Sequence, residues 1–237
     1  MDLRNFENCH KGHRAFLVAG GPSLKFTDIT PLESELVFSV SLTYKREGLR
    51  PTYHFIGDYN IVKQFYKEID EIDCDGLFVS NGIFSSMLLS HPKIHFFFGH
   101  SKKEFCKDPY NGDHGGGTST YVAMQFAYFM GITELYVIGL DHYLTLKKQM
   151  VQVEKTGIRK SGFDLVETTG KDVNHFTKDY YPRGTKWFVP QVGRMAESYG
   201  LAREAFEADG RKIYNASRVT GLSEDILPRI NYEEIFS

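Results

Sequence analysis

The chain has 237 residues, a hydrophobic content of 41% and a formal net charge of −2. This length and apolar content suit a single α/β domain with a packed core, and the nearly neutral charge gives no reason to expect a nucleic-acid partner. The three cysteines lack metal-type spacing, and no apolar run resembles a signal peptide or reaches the length of a transmembrane segment. These features predict a cytoplasmic protein.

Short apolar runs bounded by Gly, Pro, Asp or Asn predict buried strands, and helical patterns alternate with them. The predicted strands cover residues 15–19, 36–41, 53–56, 77–80, 94–98, 135–138 and 212–214. The predicted helices cover residues 59–72, 118–130 and 191–209, with a last turn at 232–236. This alternation predicts a three-layer α/β fold, in which a largely parallel, Rossmann-like sheet has helices on both faces. Residues 1–237 are predicted to form one domain.

Residues 145–185 show no clear periodicity and are rich in Lys, Gly, Thr and Asp. A segment of this length without a pattern, inside a compact domain, is usually a functional lid or a binding loop. We therefore predict that residues 145–185 form a lid.

The first predicted strand ends in Gly20, Gly21, Pro22 and Ser23. The two glycines have no Cβ, so a ligand could approach the backbone closely, and Pro22 restricts the turn. The hydroxyl of Ser23 and the neighbouring N–H groups could then face an anion such as a phosphate. An ordinary tight turn between two elements is the alternative.

A second candidate anion site precedes the predicted helix 118–130. Three glycines lead into Thr118 and Ser119, and the first turn of a helix offers free N–H groups and the positive end of the helix dipole. The alternative is that Thr118 or Ser119 only caps the helix. Gly117, Thr118 and Ser119 are therefore predicted ligand-binding residues.

Other polar residues follow predicted strands, and the carboxyl ends of parallel strands meet at one edge of a sheet. Ser41, Asp58, Asp141 and Tyr143 are predicted to lie at this edge. Asp141 could bind a sugar or ribose hydroxyl, coordinate a metal, or cap a turn. Because the acids are scattered along the chain, no carboxylate metal site is predicted.

His175 is the candidate general base, since an imidazole can take a proton from a hydroxyl near neutral pH. Tyr180 and Tyr181 follow it and could donate hydrogen bonds to a leaving phosphate. The alternative is a surface histidine beside packed tyrosines. Three other histidines next to predicted strand ends or glycine-rich loops compete for the role, namely His100, His114 and His142.

The order of these motifs resembles a known family. The motifs cover residues 18–24, 116–119, 134–143 and 174–176, and the likeness extends from about residue 15 to residue 236. The series is similar to the family typified by the archaeal 6-hydroxymethylpterin diphosphokinase, which includes flagellin-glycosylation accessory proteins. It also resembles the bacterial sialyltransferases that use CMP-sugar donors. Either resemblance implies a single nucleotide-binding α/β domain.

The sialyltransferase resemblance implies roles for most of these residues. The turn from Gly20 to Ser23 and the pair Thr118 and Ser119 would hold the donor's phosphate and the carboxylate of its sugar. Asp141 and Tyr143 would face the nucleotide and its phosphate, and His175 would be the base for the acceptor hydroxyl.

The chain departs from the sialyltransferase pattern at three positions. Those transferases carry Asn where Gly20, Ser41 and Asp58 stand in this chain. A carboxylate at Asp58 would repel an anionic donor unless a cation or a sugar hydroxyl meets it.

The resemblance favours a glycosyltransferase that uses a nucleotide-activated sugar, such as a CMP-linked acidic sugar, for surface glycans or protein glycosylation. The acceptor would be a glycan or a small molecule, and no metal cofactor would be obligatory. One alternative is a magnesium-dependent diphosphokinase that transfers pyrophosphate from ATP to a pterin alcohol, with Asp58, Asp113 and Asp141 around the ion. The other is a non-catalytic nucleotide or sugar binder. Homo-oligomer formation and peripheral contact with a membrane are both compatible with the sequence.

Overall fold

The computed structural model describes residues 2–80, 82–99, 103–112, 115–145, 150–154 and 164–237, and only the backbone of 150–154. His100, Asp113 and His114 lie outside the described residues, as do residues 146–149 and 155–163 of the predicted lid.

The described part of the chain contains ten strands and four α-helices. The strands are β1 (Arg14–Val18), β2 (Val37–Val40), β3 (Tyr53–Ile56), β4 (Gly76–Ser80), β5 (Ile94–Phe97), β6 (Glu134–Ile138), β7 (Met150–Glu154), β8 (Leu165–Thr168), β9 (Lys186–Phe188) and β10 (Lys212–Asn215). The helices are α1 (Tyr59–Asp70), α2 (Gly82–Ser85), α3 (Ser119–Phe129) and α4 (Val192–Ala208). Short 3-10 helices cover Leu3–Phe6, Pro22–Phe26, Thr30–Ser34, Thr43–Lys45, Pro109–Asn111 and Glu233–Phe236. No helix of the described residues is long and apolar enough to span a lipid bilayer.

Seven strands form one parallel sheet in the order β10-β6-β1-β2-β3-β4-β5. From β1 the chain moves outward in one direction to β5 and then returns to the other side of β1 as β6. The order of strands therefore reverses between β1 and β6, and ligands of open parallel sheets bind beyond the strand ends at such a point. The predicted α/β class and the parallel sheet are confirmed.

Apolar side chains fill both faces of the sheet. Alternate strand residues, such as Leu17 and Phe55, pack with α3 and α4 on one face. Others, such as Phe16 and Ile56, pack with α1 on the opposite face. All of α3 except its first residue is buried, which explains why its sequence is apolar nearly all round.

Part of the segment predicted as a lid has regular structure. β7, β8 and β9 form an antiparallel three-stranded sheet, which the sequence patterns did not indicate. Val166, Phe176 and Trp187 are buried in the same core cluster as α1. Gln64 of α1 also exchanges two hydrogen bonds with the backbone of Lys186, each 2.8 Å long. Val166 and Phe176 of the predicted lid, and β9 directly after it, therefore pack against the same core as α1.

Candidate active site

A cavity of about 680 Å³ opens at the carboxyl ends of the parallel strands. Most of the predicted site residues line it: Gly20, Gly21, Pro22, Ser41, Asp58, Gly117, Thr118, Ser119, Asp141, Tyr143, His175 and Tyr181. Ser23 and Tyr180 are instead buried and contact residues of the cavity wall. The structure thus brings together motifs that lie more than 150 residues apart in the chain.

The floor of the cavity is the crevice between β1 and β6. The N–H of Gly21 donates a hydrogen bond of 2.8 Å to the carbonyl of Gly139. A Cβ on Gly21 would lie 2.5 Å from that carbonyl oxygen and 2.6 Å from Cγ of Asp141. Gly21 is therefore required by the close approach of two loops, each of which also faces the cavity.

Asp141 holds the first turn through Ser23. Its Oδ2 accepts a hydrogen bond of 2.6 Å from the N–H of Ser23, and its Oδ1 accepts one from the Ser23 hydroxyl. Burial raises the pKa of Asp141, while the bonds from Ser23 and the charge of His175 act in the opposite direction. Both carboxylate oxygens thus have protein partners, and the contact between Asp141 and Ser23 holds the turn at residues 20–23 in place.

The amino terminus of α3 forms another part of the wall. Thr118 caps the helix, because its hydroxyl accepts a hydrogen bond of 3.2 Å from the N–H of Thr120. Gly116 and Gly117 have φ angles of +54° and +83°, which side chains rarely tolerate. The hydroxyl of Ser119 accepts a bond of 2.9 Å from the N–H of Gly57. The motif therefore has a structural role, and it also presents a helix amino terminus to the cavity.

Asp58 lies at the amino terminus of α1 and lines the cavity. Its Oδ1 accepts a hydrogen bond of 2.8 Å from the N–H of Asn60, so it is the N-cap of the helix. Burial raises the pKa of Asp58 to about 6, although the bonds from Asn60 favour the charged form. A carboxyl group that is partly neutral at mildly acidic pH thus lines the cavity.

His175 is paired with a buried carboxylate. Its Nδ1 lies 2.8 Å from Oδ2 of Asp172, whose other oxygen accepts a bond of 2.8 Å from the N–H of Asn174. A ring that donates its Nδ1–H to a carboxylate carries its lone pair on Nε2 and can accept a proton there. This is the arrangement that a general base requires.

Tyr180 fixes the ring of His175 from one face. The two rings are stacked, with centroids 3.9 Å apart and an interplanar angle of 3°. The hydroxyl of Tyr180 accepts a hydrogen bond of 3.1 Å from the N–H of Leu42, which anchors it beside β2. Tyr180 therefore holds the position of His175.

His142 also lines the cavity, but its surroundings differ from those of His175. Its buried Nδ1 has no hydrogen-bond partner in the described part of the chain, and burial lowers its pKa. It packs edge to face against Tyr199, with centroids 6.0 Å apart. Of these two histidines, His175 is the one with a carboxylate to orient it.

Sequence patterns did not single out Asp172, Arg194 or the aromatic wall formed by Trp187 and Phe188. Asp172 stands three residues before His175. Outside a helix, this spacing does not predict that the two side chains are in contact. Arg194 lies in the first turn of α4 and is the one permanently cationic side chain among the described residues that line the cavity. No local signal distinguishes it from other arginines of amphipathic helices.

The comparisons with known proteins give a likeness of fold. No family model matches the sequence, and no curated protein shows significant similarity to it. A structure of the sialyltransferase CstII from Campylobacter jejuni with cytidine-5′-monophosphate has a TM-score of 0.50 and 15% identity, covering 94% of this chain and 88% of that chain. Another, with the substrate analogue CMP-3FNeuAc, has a TM-score of 0.47 and 14% identity, covering 91% and 85%. This chain therefore has a sialyltransferase-like fold.

Proposed function

We propose that this protein is a glycosyltransferase that uses a nucleotide-activated sugar, of the CMP-linked acidic kind. The observation that carries the proposal is the Asp172–His175 pair at the wall of the strand-end cavity. A base oriented by a buried carboxylate, next to a helix amino terminus and a glycine turn, suits displacement of a phosphate by a hydroxyl. The fold neighbour CstII was solved in complex with cytidine-5′-monophosphate, which supports the choice of nucleotide.

In the proposed reaction, Nε2 of His175 takes the proton of the acceptor hydroxyl as its oxygen attacks the anomeric carbon of the donor. A new C–O glycosidic bond forms, and the bond between the anomeric carbon and the phosphate oxygen breaks. Its electron pair leaves with the phosphate of the nucleotide. Asp172 stabilises the resulting imidazolium through Nδ1–H.

Anion binding is assigned to groups that line the cavity. The amino terminus of α3, with Thr118 and Ser119, and the turn at Gly20 and Gly21 would hold the phosphate. Arg194 would contribute the positive charge. Tyr181 lines the cavity and is proposed to donate to the leaving phosphate, whereas buried Tyr180 positions His175.

The proposal is tested by incubating the protein with a CMP-activated acidic sugar and a panel of glycoside acceptors. The wild-type protein should release CMP and form glycoside, and His175→Ala should abolish turnover while its CMP affinity stays within about twofold of the wild type, since only the proton acceptor is lost. A His175→Ala protein with full activity would remove His175 from the mechanism. CMP binding without turnover by the wild type, across the panel, would favour the non-catalytic binder.

Asp58 and Asp141 line the same cavity, which is the observation that favours the diphosphokinase alternative. Magnesium bridging the phosphates of ATP would require free carboxylate oxygens. Asp141 is engaged by Ser23, and Asp58 caps α1, so both would have to exchange these partners for the ion. Pterin-dependent AMP release from ATP, seen only with magnesium, would establish this alternative.

A further inference from the structure

The cavity has two chemically different walls. One consists of glycine turns, hydroxyls and a helix amino terminus from β1, β3, β6 and α3. The other carries Arg194 but is otherwise mostly apolar and aromatic, and its apolar members follow β8 or begin α4. They are Tyr181, Trp187, Phe188, Val189, Pro190, Val192 and Met195. The proposed phosphate contacts lie on the first wall, at Arg194 and at the Tyr181 hydroxyl, which leaves the apolar surface of the second wall without an assigned ligand.

The candidate base stands beside the apolar wall. His175 contacts Tyr181 edge to face, with ring centroids 4.9 Å apart. Tyr181 in turn stacks on Trp187 at 5.2 Å, with an interplanar angle of 20°. Because the base must reach the acceptor hydroxyl, the group that carries this hydroxyl has to lie close to these rings.

The apolar wall is held by hydrogen bonds and is accessible at Phe188 and Val192. The indole N–H of Trp187 donates a hydrogen bond of 3.0 Å to the hydroxyl of Thr168, and Gln64 clamps the preceding Lys186 to α1. Phe188 is 37% exposed and Val192 is 38% exposed, although both line the cavity. Rigid aromatic surface that is already in position binds apolar groups with little loss of entropy.

We infer that this wall is the acceptor site and that it selects acceptors with an apolar group next to the sugar that is modified. The ligand class is a glycoside with an aryl or alkyl aglycone, as opposed to a free or methyl-capped sugar. The inference rests on the proposed function, because His175 identifies the acceptor side only if it is the base.

The test measures binding and does not require turnover. Phenyl β-glycosides of glucose, galactose and N-acetylglucosamine are titrated calorimetrically into the protein, each beside its methyl counterpart. At least one phenyl glycoside should bind about tenfold more tightly than its methyl partner, because the ring buries apolar surface against the wall. Equal affinities within all three pairs would overturn the inference.

Substitutions in the apolar wall test whether the preference for phenyl glycosides arises there. Phe188→Ala should remove most of the preference for phenyl, and Val192→Ser should reduce it. The matched controls Phe26→Ala and Val219→Ser alter exposed residues that do not line the cavity, so they should retain it. A preference that survives in Phe188→Ala and Val192→Ser would place the phenyl group elsewhere and overturn the inference.

Failure of the inference and failure of the proposed function are distinguishable. If the protein binds CMP and transfers sugar but binds phenyl and methyl glycosides alike, only the acceptor assignment is wrong. If phenyl glycosides bind through Phe188 but neither CMP nor a CMP-sugar binds, the proposed donor is wrong while the apolar site stands.

Discussion

Nδ1 of His175 lies 2.8 Å from Oδ2 of Asp172, and Asp172 is itself buried. This pairing holds the imidazole in one tautomer and directs its second nitrogen away from the carboxylate. In the proposed mechanism, this orientation leaves Nε2 of His175 free of a proton, so that it can accept one from the acceptor hydroxyl.

Asp172→Asn tests this relationship. The substitution keeps the shape of the side chain but removes its charge, so we expect kcat to fall by about 10²–10⁴-fold with an unchanged Kd for CMP. Nitrogen NMR chemical shifts should also show a change in the tautomer of His175. An unaltered kcat and tautomer would show that the carboxylate has no role in orienting the ring.

Asp58→Asn should stabilise the protein in a pH-dependent way. Burial raises the pKa of Asp58 to about 6 from its ordinary value of 3.8, so the folded state binds more protons than the unfolded state between these two pH values. The wild type therefore loses stability as pH rises through this range. Because Asn is an equally good N-cap, the variant should be more stable by about 1–2 kcal/mol at pH 7, with no gain below about pH 4.

Thermal melts of both proteins at pH 4, 5.5 and 7 measure this difference. Asp58→Asn should also bind CMP more tightly at pH 7 than the wild type, since a negative charge is removed from the cavity. A constant difference in Tm across the three pH values would contradict the assigned titration of Asp58.

Gly21→Ala should destabilise the crevice between β1 and β6. The new Cβ would lie 2.5 Å from the carbonyl oxygen of Gly139, and the backbone must move to relieve the contact. We expect a loss of about 2–4 kcal/mol in the free energy of unfolding, measured by urea denaturation. Gly115→Ala is the matched control, because its Cβ would have no heavy atom within 4 Å, and it should be nearly neutral.

Ser23→Ala removes the hydroxyl that donates to Asp141. The buried carboxylate would lose one partner, and we expect the free energy of unfolding to fall by about 1–3 kcal/mol at pH 7. The pKa of Asp141 is already raised by burial and should rise further, so the loss should shrink at acidic pH, where Asp141 is neutral. Ser86→Ala, which alters an exposed hydroxyl, should have little effect at either pH. Equal losses at pH 4 and pH 7 would argue against a charged Asp141 as the partner.

The main elements follow from the sequence because their patterns are local. The predicted strand 53–56 coincides with β3, and the other predicted strands of the parallel sheet differ from the observed bounds by at most one residue at either end. The helix predicted at 118–130 is α3, which is apolar on nearly all sides and buried from Thr120 to Phe129. Convergence of Gly21, Thr118 and Asp141 on one cavity follows from the parallel topology.

The remaining features depend on contacts between distant or irregular segments. β8 and β9 are three to four residues long, and their pairing leaves no periodicity that single-sequence patterns could reveal. Tyr180 and Tyr181 are adjacent in sequence, yet one is buried against Leu42 and the other lines the cavity. The irregular backbone between residues 172 and 175 brings the carboxylate of Asp172 to the ring of His175. Sequence patterns for helices and strands do not predict a contact of this kind.

A thermal-shift panel of nucleotides, run with EDTA or with magnesium, measures whether the cavity takes a CMP-type donor without metal. CMP or CDP should raise Tm in EDTA, and ATP with magnesium should not. Stabilisation by ATP with magnesium alone would contradict a CMP-type donor and favour diphosphate transfer.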